Sequence, residues 1–406
     1  MTIADGRAVD SGDEISILSE RFAEDPYAFY RDLREHHPVY FDHGVGRYLV
    51  SRYEDVVRVS KDPSLQSIST ERVHGRTILQ MEGQEHSTKR NLISPSFRAA
   101  GVESFLPLIE ANSAVLIDRF VHDGKGDLVD QFTTRLPINV IVDMLDLPKS
   151  DHDEFHEWYS SLIALIIDTT GDPEIEARGM RARAEMEAYM LPIIAARRAK
   201  PGDDLLSRLA QAEIDGAALS DMEVKAFISL LFVAGGETTD KAMGLVVRNL
   251  LDNPDQFARV REDHSLIGAA FAETLRFSPP GHFLVRLAST DLEICGVHIP
   301  AGSMVSPIMA SANRDPAKFA DPDRFDIDRP DLEVARAYTA AANHTAFGAG
   351  RHFCVGALLA KSEVEHGLGM IVDRLKDLRY APGFVPKEVG IHIRSLPSLE
   401  VEFTPA

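Results

Sequence analysis

Residues 347–356 read Phe-Gly-Ala-Gly-Arg-His-Phe-Cys-Val-Gly and come directly before a stretch with helical periodicity. Three glycines in ten residues allow the backbone to turn tightly and to approach another group closely. Cys354 stands close to the start of the following helix, where free backbone N–H groups and the helix dipole favour a thiolate. Such a thiolate is a good iron ligand, but the loop alone leaves a buried structural thiol equally open.

A second segment is unusually long and apolar. It starts at Ser220 with Glu223 three residues later, the spacing of a capping box, and continues without proline until Pro254. It greatly exceeds the usual helix length of about 11–12 residues and is apolar on nearly all sides in its first half, which predicts a central buried helix. Its middle, residues 234–239, reads Ala-Gly-Gly-Glu-Thr-Thr. The two glycines allow either a ligand or a neighbouring helix to come close.

A third segment, Glu273-Thr-Leu-Arg276, places an acid and a base on one face of a helix. Alone, this pair is an ordinary surface salt bridge worth well under about 1 kcal/mol. Its position between the long helix and the cysteine loop is therefore more informative than the pair itself.

Composition limits the class of protein. Of 406 residues, 44% are hydrophobic, and no linker divides the chain, so we predict one domain over residues 1–406 with a poorly ordered tail at 1–20. The formal charge of −20 disfavours nucleic acid and anionic lipid as partners. Cys295 and Cys354 are the only cysteines, which excludes a disulfide framework and indicates a reducing compartment; we interpret Cys295 as a core thiol. Without a signal stretch or an apolar run long enough to span a bilayer, the expected location is the cytoplasm.

Periodicity along the chain predicts a mainly α protein with a small discontinuous β region. Residues 84–263 are mostly helical in pattern, and a further long helix follows Cys354 and continues to about Lys376. Shorter elements are also predicted: a helix at residues 25–36 and a hairpin at 39–50. Strand-like pieces follow at residues 282–305, and an irregular loop at 313–330.

In this order and at these spacings, the three segments resemble the cytochrome P450 family of haem-thiolate monooxygenases. Residues 347–356 match every fixed position of the family pattern Phe-Gly-x-Gly-x-His-x-Cys-x-Gly, and the resemblance runs from residue 25 to Pro397. It implies the cytochrome P450-type fold, with a long central helix over haem. It also implies haem b (iron protoporphyrin IX) with Cys354 as the axial ligand of the iron, a ligand that favours cleavage of the O–O bond. Lacking an N-terminal anchor, the chain resembles the soluble bacterial members.

The resemblance implies further residues that bind the cofactor. Haem propionates are carboxylates inside a protein and need cationic partners. The positions that match the family's propionate contacts are His86, Arg90, Arg286 and His352. Glu273 and Arg276 match a structural ion-pair network that an arginine of the irregular loop completes, either Arg324 or Arg329.

Glu237 and Thr238 match the family's catalytic acid–alcohol pair. A hydroxyl beside a carboxylate can hold the water that delivers the protons consumed during O2 activation. By analogy, the substrate pocket draws on the residues Phe232, Val233, Gly235, Phe283, Leu284 and Val285. Most are apolar, which predicts an apolar small molecule such as a terpenoid, steroid, fatty acid or polyketide. Arg72, His74 and Arg76 either meet a polar end of that molecule or face water.

The resemblance thus predicts insertion of one oxygen atom from O2 into an apolar small molecule, by hydroxylation or epoxidation. Electrons would come from a separate ferredoxin or flavodoxin with its NAD(P)H reductase. The same haem chemistry also permits oxidative coupling or desaturation, and a non-catalytic haem sensor is a further alternative that the Glu237–Thr238 pair disfavours. For the donor we expect a basic docking patch made of Lys89, Arg98, Arg351 and Lys361.

Overall fold

A computed structural model describes residues 15–68, 71–168 and 171–406 of the chain. Of the tail predicted at residues 1–20, residues 1–14 lie outside the described part. Within the remaining residues 15–20, Ser16 and Ile17 are buried. The backbone N–H of Ile17 donates to Asp42 Oδ2 at 2.9 Å.

Helices make up most of the structure, as predicted. In chain order they are α1 (Glu20–Glu24), α2 (Pro26–His36), α3 (Tyr53–Lys61), α4 (Glu71–His74), α5 (Gly83–Ile93), α6 (Ala99–Glu103), α7 (Leu106–Asp118), α8 (Arg135–Met144), α9 (His152–Ile167), α10 (Pro173–Ala199), α11 (Leu205–Ala210), α12 (Asp221–Asp252), α13 (Pro254–Glu262), α14 (Ile267–Phe277), α15 (Met309–Ala312) and α16 (Ala357–Arg374). A single π-helical turn, Val129–Thr133, precedes α8.

The long helix predicted from Ser220 is α12. The Ser220 side chain accepts from the Glu223 N–H while the Glu223 side chain accepts from the Ser220 N–H, which forms the expected capping box. Residues on every side of α12 are buried because the helix packs against α8, α9, α14 and α16. The chain is therefore built around α12, and groups on this helix are shielded from bulk water.

Strands form small sheets at the side of the helical body. They are β1 (Val39–Asp42), β2 (Arg47–Val50), β3 (Leu65–Ser67), β4 (Lys125–Asp127), β5 (Glu213–Ile214), β6 (Ala217–Ala218), β7 (Arg286–Ala288), β8 (Leu292–Ile294), β9 (Val297–Ile299), β10 (Met304–Pro307), β11 (Leu375–Tyr380) and β12 (Glu400–Pro405). The largest sheet has the order β1-β2-β10-β7-β3, and a second sheet has the order β11-β12-β4. The predicted hairpin is β1–β2, paired antiparallel from Val39 with Val50 to Asp42 with Arg47.

The Glu-x-x-Arg pair is buried, so it is not the surface salt bridge that it would be in isolation. Arg276 Nη2 donates to Glu273 Oε1 at 2.7 Å, and both side chains are 0% exposed. Arg329 supplies the third member, with Nε donating to the same oxygen at 3.2 Å. Arg324 contributes its backbone carbonyl instead, while its side chain is exposed near Asp326. Arg329 rather than Arg324 therefore completes the network, a choice that the sequence left open.

Cys295 is not the core thiol that we expected. It occupies the turn between β8 and β9 with a φ of 50°, and its side chain is exposed. The thiol donates to Asp55 Oδ2 at 2.9 Å. Burial, the hydrogen bond and the charge of Asp55 together raise the pKa of this thiol.

Among the helices of the described residues, none is both long enough and apolar enough to cross a membrane.

Candidate active site

A largely apolar cavity lies between α12 and the cysteine loop. It holds about 1010 Å³ of empty volume including its open mouth. The segment before α5, α8, α11 and α12 all contribute apolar side chains, among them Ile78, Leu79, Ile141, Met144, Leu205 and Leu230. The opposite wall is the cysteine loop and the first turns of α16, including Phe347, Phe353, Cys354 and Leu359. The cavity therefore joins two of the three segments that the sequence singles out.

The glycines of the cysteine loop bring it close to its neighbours. Gly348 and Gly350 both have a φ of 74°, a conformation that favours glycine. A Cβ on Gly350 would lie 3.3 Å from the Cα of Lys61, so the backbones almost touch there. Cys354 donates its N–H to the Phe347 carbonyl at 2.9 Å, which closes the loop, and Cys354 itself lines the cavity.

The electrostatics of Cys354 differ from our expectation of a thiolate. Burial raises the pKa of the thiol, and the Gly356 N–H and the charge of Arg90 lower it only in part. Because α16 begins at Ala357, the thiol precedes the helix by three positions. A bound cation rather than the protein alone would make this sulfur a thiolate, since coordination deprotonates a thiol.

A polar group on the cavity wall contains three of the predicted cofactor-binding residues. The rings of His86 and His352 are 4.5 Å apart, and both histidines line the cavity with Arg90. Burial and the neighbouring His352 and Arg90 lower the pKa of His86 to about 4. Its Nε2 is buried without a hydrogen-bond partner among the described residues. His352 Nε2 lies 3.2 Å from Oε1 of Glu82, and Arg90 Nη2 donates to the Phe353 carbonyl at 2.6 Å.

The fourth predicted residue, Arg286, lies beside this wall without lining the cavity. Its Nη1 donates to Ser67 Oγ at 2.7 Å across the β3–β7 pair. Its charge helps to lower the pKa of His352, behind the larger effect of burial, so the two side chains are near each other.

The predicted acid–alcohol pair lies on α12. Thr238 lines the cavity, and its Oγ1 donates to the Ala234 carbonyl at 3.2 Å. Glu237 is 8% exposed, and burial raises the pKa of its carboxyl to about 7, with Lys241 opposing and Asp240 adding to the shift. Of the two glycines before the pair, Gly235 lines the cavity, whereas Gly236 packs against Ile138 and Tyr159. Gly236 thus permits the close helix packing that the sequence left open, and Gly235 leaves room for a ligand at the cavity wall.

Most of the predicted substrate residues do not line this cavity. Gly235 does, but Phe232 faces α9, where its ring stacks on Phe155 with centroids 4.7 Å apart. Phe283 packs against Phe22 and Tyr30 in a separate aromatic cluster. Helix rotation and strand direction decide such orientations, and neither can be derived from apolarity alone. The other predicted residues outside the cavity lining are Val233, Leu284 and Val285.

Three basic residues were predicted either to meet a polar end of the substrate or to face water, and two of them bind other side chains of this protein. His74 is buried with Nδ1 at 2.9 Å from Ser229 Oγ, and Arg76 pairs with Glu85 at 2.6 Å. The side chain of Arg72 lies outside the described part of the structure.

Sequence analysis missed Glu363 on α16. This carboxyl lines the cavity, and its Oε1 is buried without a hydrogen-bond partner in residues 15–68, 71–168 and 171–406. Burial raises its pKa to about 8. Its position nine residues after Cys354, on the cavity-facing side of an otherwise apolar helix stripe, is the signal that could have identified it.

The fold and the cavity together define a class. A thiol presented by a glycine-rich loop to an apolar cavity beneath a long buried helix is the arrangement of a haem-thiolate enzyme.

Comparison with known proteins agrees with this class. The family profile described as Cytochrome P450 matches residues 45–377. The pulcherriminic acid synthase of Bacillus subtilis (strain 168) is 37% identical over 394 residues, which cover 96% of this chain and 97% of that protein. The erythromycin C-12 hydroxylase of Saccharopolyspora erythraea is 35% identical, over 84% of this chain and 85% of the hydroxylase. The solved structure of CYP109E1 from Bacillus megaterium in complex with corticosterone matches with a TM-score of 0.84 and 29% identity, covering 95% of this chain and 99% of that one.

This chain belongs to the cytochrome P450 family. It is an oxidoreductase of the haem-thiolate monooxygenase class, and the predicted fold class is confirmed.

Proposed function

We propose that the protein inserts one oxygen atom from O2 into an apolar small molecule at the cavity under α12, with haem b as cofactor. The observation that carries the proposal is that one cavity is lined by Cys354, by three of the four predicted propionate contacts and by Thr238. Haem b bound through a cysteine thiolate supplies O2 binding and activation. The protein residues hold the cofactor, exclude water and move protons.

The cavity wall suits such a cofactor. His86 Nε2 is a buried ring nitrogen without a partner in the described part of the chain, so it is free to bind a propionate. Arg90, on the same face of α5, supplies a charge that can form a charge-assisted hydrogen bond. His352 and the nearby Arg286 complete the proposed set. Cys354 would bind iron from the loop side, where Arg90 also holds the adjacent Phe353 carbonyl.

Glu237 and Thr238 are the proposed proton-handling pair. A carboxyl whose pKa is about 7 can both take and release a proton near neutral pH. Thr238 lines the cavity, whereas the preceding Glu237 is buried outside the cavity lining, so the proposed pair would act through water held by the Thr238 hydroxyl. Both features favour oxygen activation over a non-catalytic haem role.

The substrate is proposed to be apolar and small. The cavity walls above the cysteine loop are mainly leucine, isoleucine and methionine, which bind by excluding water. Two similar proteins act on or bind small molecules according to their names: one is an erythromycin C-12 hydroxylase, and the structure of the other is a complex with corticosterone.

We further propose a separate ferredoxin or flavodoxin as electron donor, docking at a groove outside Cys354. The groove is lined by Phe97, Arg98, Tyr338, Val355 and Leu358. The expected basic patch is smaller than we predicted, because three of its cations bind carboxylates of this chain. These ion pairs are Lys89–Glu223, Arg351–Glu82 and Lys361–Glu365. Arg98 is exposed on this groove and has no ion-pair partner among the described residues.

Replacing Cys354 tests the proposed ligand. Cys354→Ser removes the sulfur and keeps the size, so the reduced CO complex should lose the strongly red-shifted Soret band of thiolate ligation. Cys295→Ser is the matched control and should keep the band, because Cys295 is exposed in the β8–β9 turn. Retention of the band in Cys354→Ser, or its loss in Cys295→Ser, would contradict the assignment.

A further inference from the structure

A groove at the protein surface lies between α13 and β11, and it shares no described lining residue with the active-site cavity. We call it the α13–β11 groove. It holds about 860 Å³ of empty volume including its open mouth. Its apolar wall is made of Leu251, Pro254, Phe257, Ala258 and Leu378. Concave, mostly apolar sites of about 300–1,000 Å³ are typical binding sites for small organic molecules.

Arg261, in the last turn of α13, gives this groove an unsatisfied cation. Its Nε and Nη2 are both buried without a hydrogen-bond partner, and among the described residues no other side chain has two such atoms. Its helix neighbour Arg259 pairs with Asp328, whereas Arg261 has no ion pair within the described ranges. The guanidinium lies over the Phe257 ring, with Cζ 4.7 Å from the ring centroid. Charged donors that are removed from water and lack an acceptor are destabilising, so an acceptor brought by a ligand would be bound favourably.

The two unsatisfied nitrogens define the chemistry of the ligand. Nε and Nη2 form one edge of the planar guanidinium, and their parallel N–H groups match the two oxygens of a carboxylate. The side chain of Arg261 is half-buried, and within the described part of the chain no hydrogen bond or ion pair holds it. It can therefore turn this edge toward the groove when a carboxylate arrives there.

The other polar groups of the lining do not compete for such a ligand. Arg379 Nη2 donates to Glu402 Oε2 at 2.9 Å. The Tyr380 hydroxyl donates to Asp252 Oδ1 at 2.8 Å. Glu262 is exposed to water at the end of α13. Its negative charge disfavours a ligand with several negative charges, such as a nucleotide, and leaves a single carboxylate as the better fit.

We propose that the α13–β11 groove binds a small monocarboxylic acid with an apolar tail. The carboxylate accepts from Nε and Nη2 of Arg261, and the tail packs on Phe257 and Leu378. The site is separate from the active-site cavity, and the proposal does not depend on the function given above. A peptide that ends in a free carboxylate is the alternative ligand, but its backbone amides would meet a mostly apolar wall without partners.

Calorimetry with decanoate tests the binding. The cavity of the holoenzyme is first filled with an aryl imidazole that ligates the haem iron, so that decanoate is not taken up there. Decanoate should then bind with one molecule per chain. The neutral 1-decanol has the same tail and should bind about tenfold more weakly, because it lacks the charge-assisted hydrogen bonds.

Two substitutions test the role of Arg261. Arg261→Gln removes the guanidinium and should weaken decanoate binding about tenfold while leaving 1-decanol unchanged. Ala258→Glu, at an exposed position one turn before Arg261, supplies a carboxylate of the chain and should abolish decanoate binding. Arg259→Gln is the matched control, since Arg259 lies on the same helix, outside the groove lining, and is paired with Asp328. This control should bind decanoate as the unmodified protein does.

The binding position is determined with a decanoic acid that carries a diazirine at the end of its tail. After irradiation of the holoenzyme, the label should be found in α13, in β11 or in the last turn of α12, and Arg261→Gln should remove it. Equal affinities of decanoate for the unmodified protein and for Arg261→Gln would overturn the proposal. A label confined to the cavity residues, or binding of a peptide with a free C-terminus in preference to decanoate, would contradict it as well.

Discussion

Two buried carboxyls of this protein have pKa values far from that of an ordinary glutamate. Glu237 and Glu363 belong to different helices, and burial raises the pKa of both toward neutrality or above. They differ in surroundings, since Glu237 has charged neighbours whereas burial is the only cause of the shift at Glu363. A group of the first kind can exchange protons during turnover, and a group of the second kind remains protonated near pH 7.

Glu363 should make stability fall as the pH rises. Its pKa is about 8 in the folded protein and 4.5 as an ordinary glutamate. Between these values the folded state binds a proton that the unfolded state has released, so its contribution is fully present below about pH 4.5 and is lost by about pH 8. The slope from one such group is at most about 1.4 kcal/mol per pH unit. Glu363→Gln should flatten this decline in the urea midpoint, and Glu365→Gln on the same helix should not. Equal slopes in all three proteins would show that Glu363 does not titrate in this way.

The Thr238 hydroxyl should be needed for coupling and not for binding. In Thr238→Ala the substrate-induced spin shift and reduction should survive, while hydrogen peroxide rises and product per NAD(P)H falls. Positioned proton transfer contributes about 10²–10⁴-fold, so the loss should be large. Thr238→Ser keeps the hydroxyl and should recover most of the coupling. Unchanged product in Thr238→Ala would mean that protons arrive by another route.

At the scale of the elements, the Glu273–Arg276–Arg329 network holds the irregular loop on α14. Arg276 donates to the carbonyls of Asn313 and Pro322, at 3.1 and 2.8 Å, besides its pair with Glu273. Arg329 donates to the Asp321 carbonyl at 3.0 Å. A stretch without regular hydrogen bonding is thus satisfied by two guanidinium groups, whose several donors fit diverging carbonyls.

Removal of Arg329 should therefore cost far more stability than removal of Arg324. Arg329→Ala leaves the fully buried Glu273 carboxylate short of a partner, and breaking a buried ion pair typically costs about 3–5 kcal/mol. Arg324→Ala should cost under about 1 kcal/mol, because that side chain is exposed near Asp326. Urea unfolding of both variants measures the difference. Similar losses would contradict the assignment of Arg329.

On the whole-molecule scale, the formal net charge of the chain is −20, which would repel an acidic ferredoxin as electron donor. Charges near the docking site decide the encounter with the donor, because salt screens more distant charges over about 8–10 Å. Most cations expected near Cys354 are neutralised within the chain. The steering field should consequently be weaker than four free cations would produce, and Arg98 should dominate it.

Reduction by an acidic ferredoxin should slow as ionic strength rises, and Arg98→Glu should slow it a few-fold at low salt. Arg178→Glu, an exposed arginine on α10, is the matched charge control and should have little effect. Neither change should alter the substrate-induced spin shift. A rate independent of salt and of Arg98 would leave docking to the apolar groove residues.

The sequence alone determined the features that depend on neighbouring positions in the chain. The capping box at Ser220, the extent of α12, the β1–β2 hairpin and the glycine-turned loop around Cys354 all follow from local spacing and backbone freedom. The family pattern added His86, Arg90 and His352, which the structure brings to one cavity wall with Cys354. Such features are predictable because each is encoded within one helix, turn or loop.

Only the tertiary structure decided which way side chains point and what they meet. Phe232 and Phe283 face other aromatic rings rather than the cavity, and Cys295 is exposed in a turn. Arg329 rather than Arg324 reaches Glu273, and Glu363 enters the cavity without a partner in the described chain. Each outcome depends on how far a helix is rotated and on which distant residue packs against it, and the spacing of residues along the chain carries neither quantity.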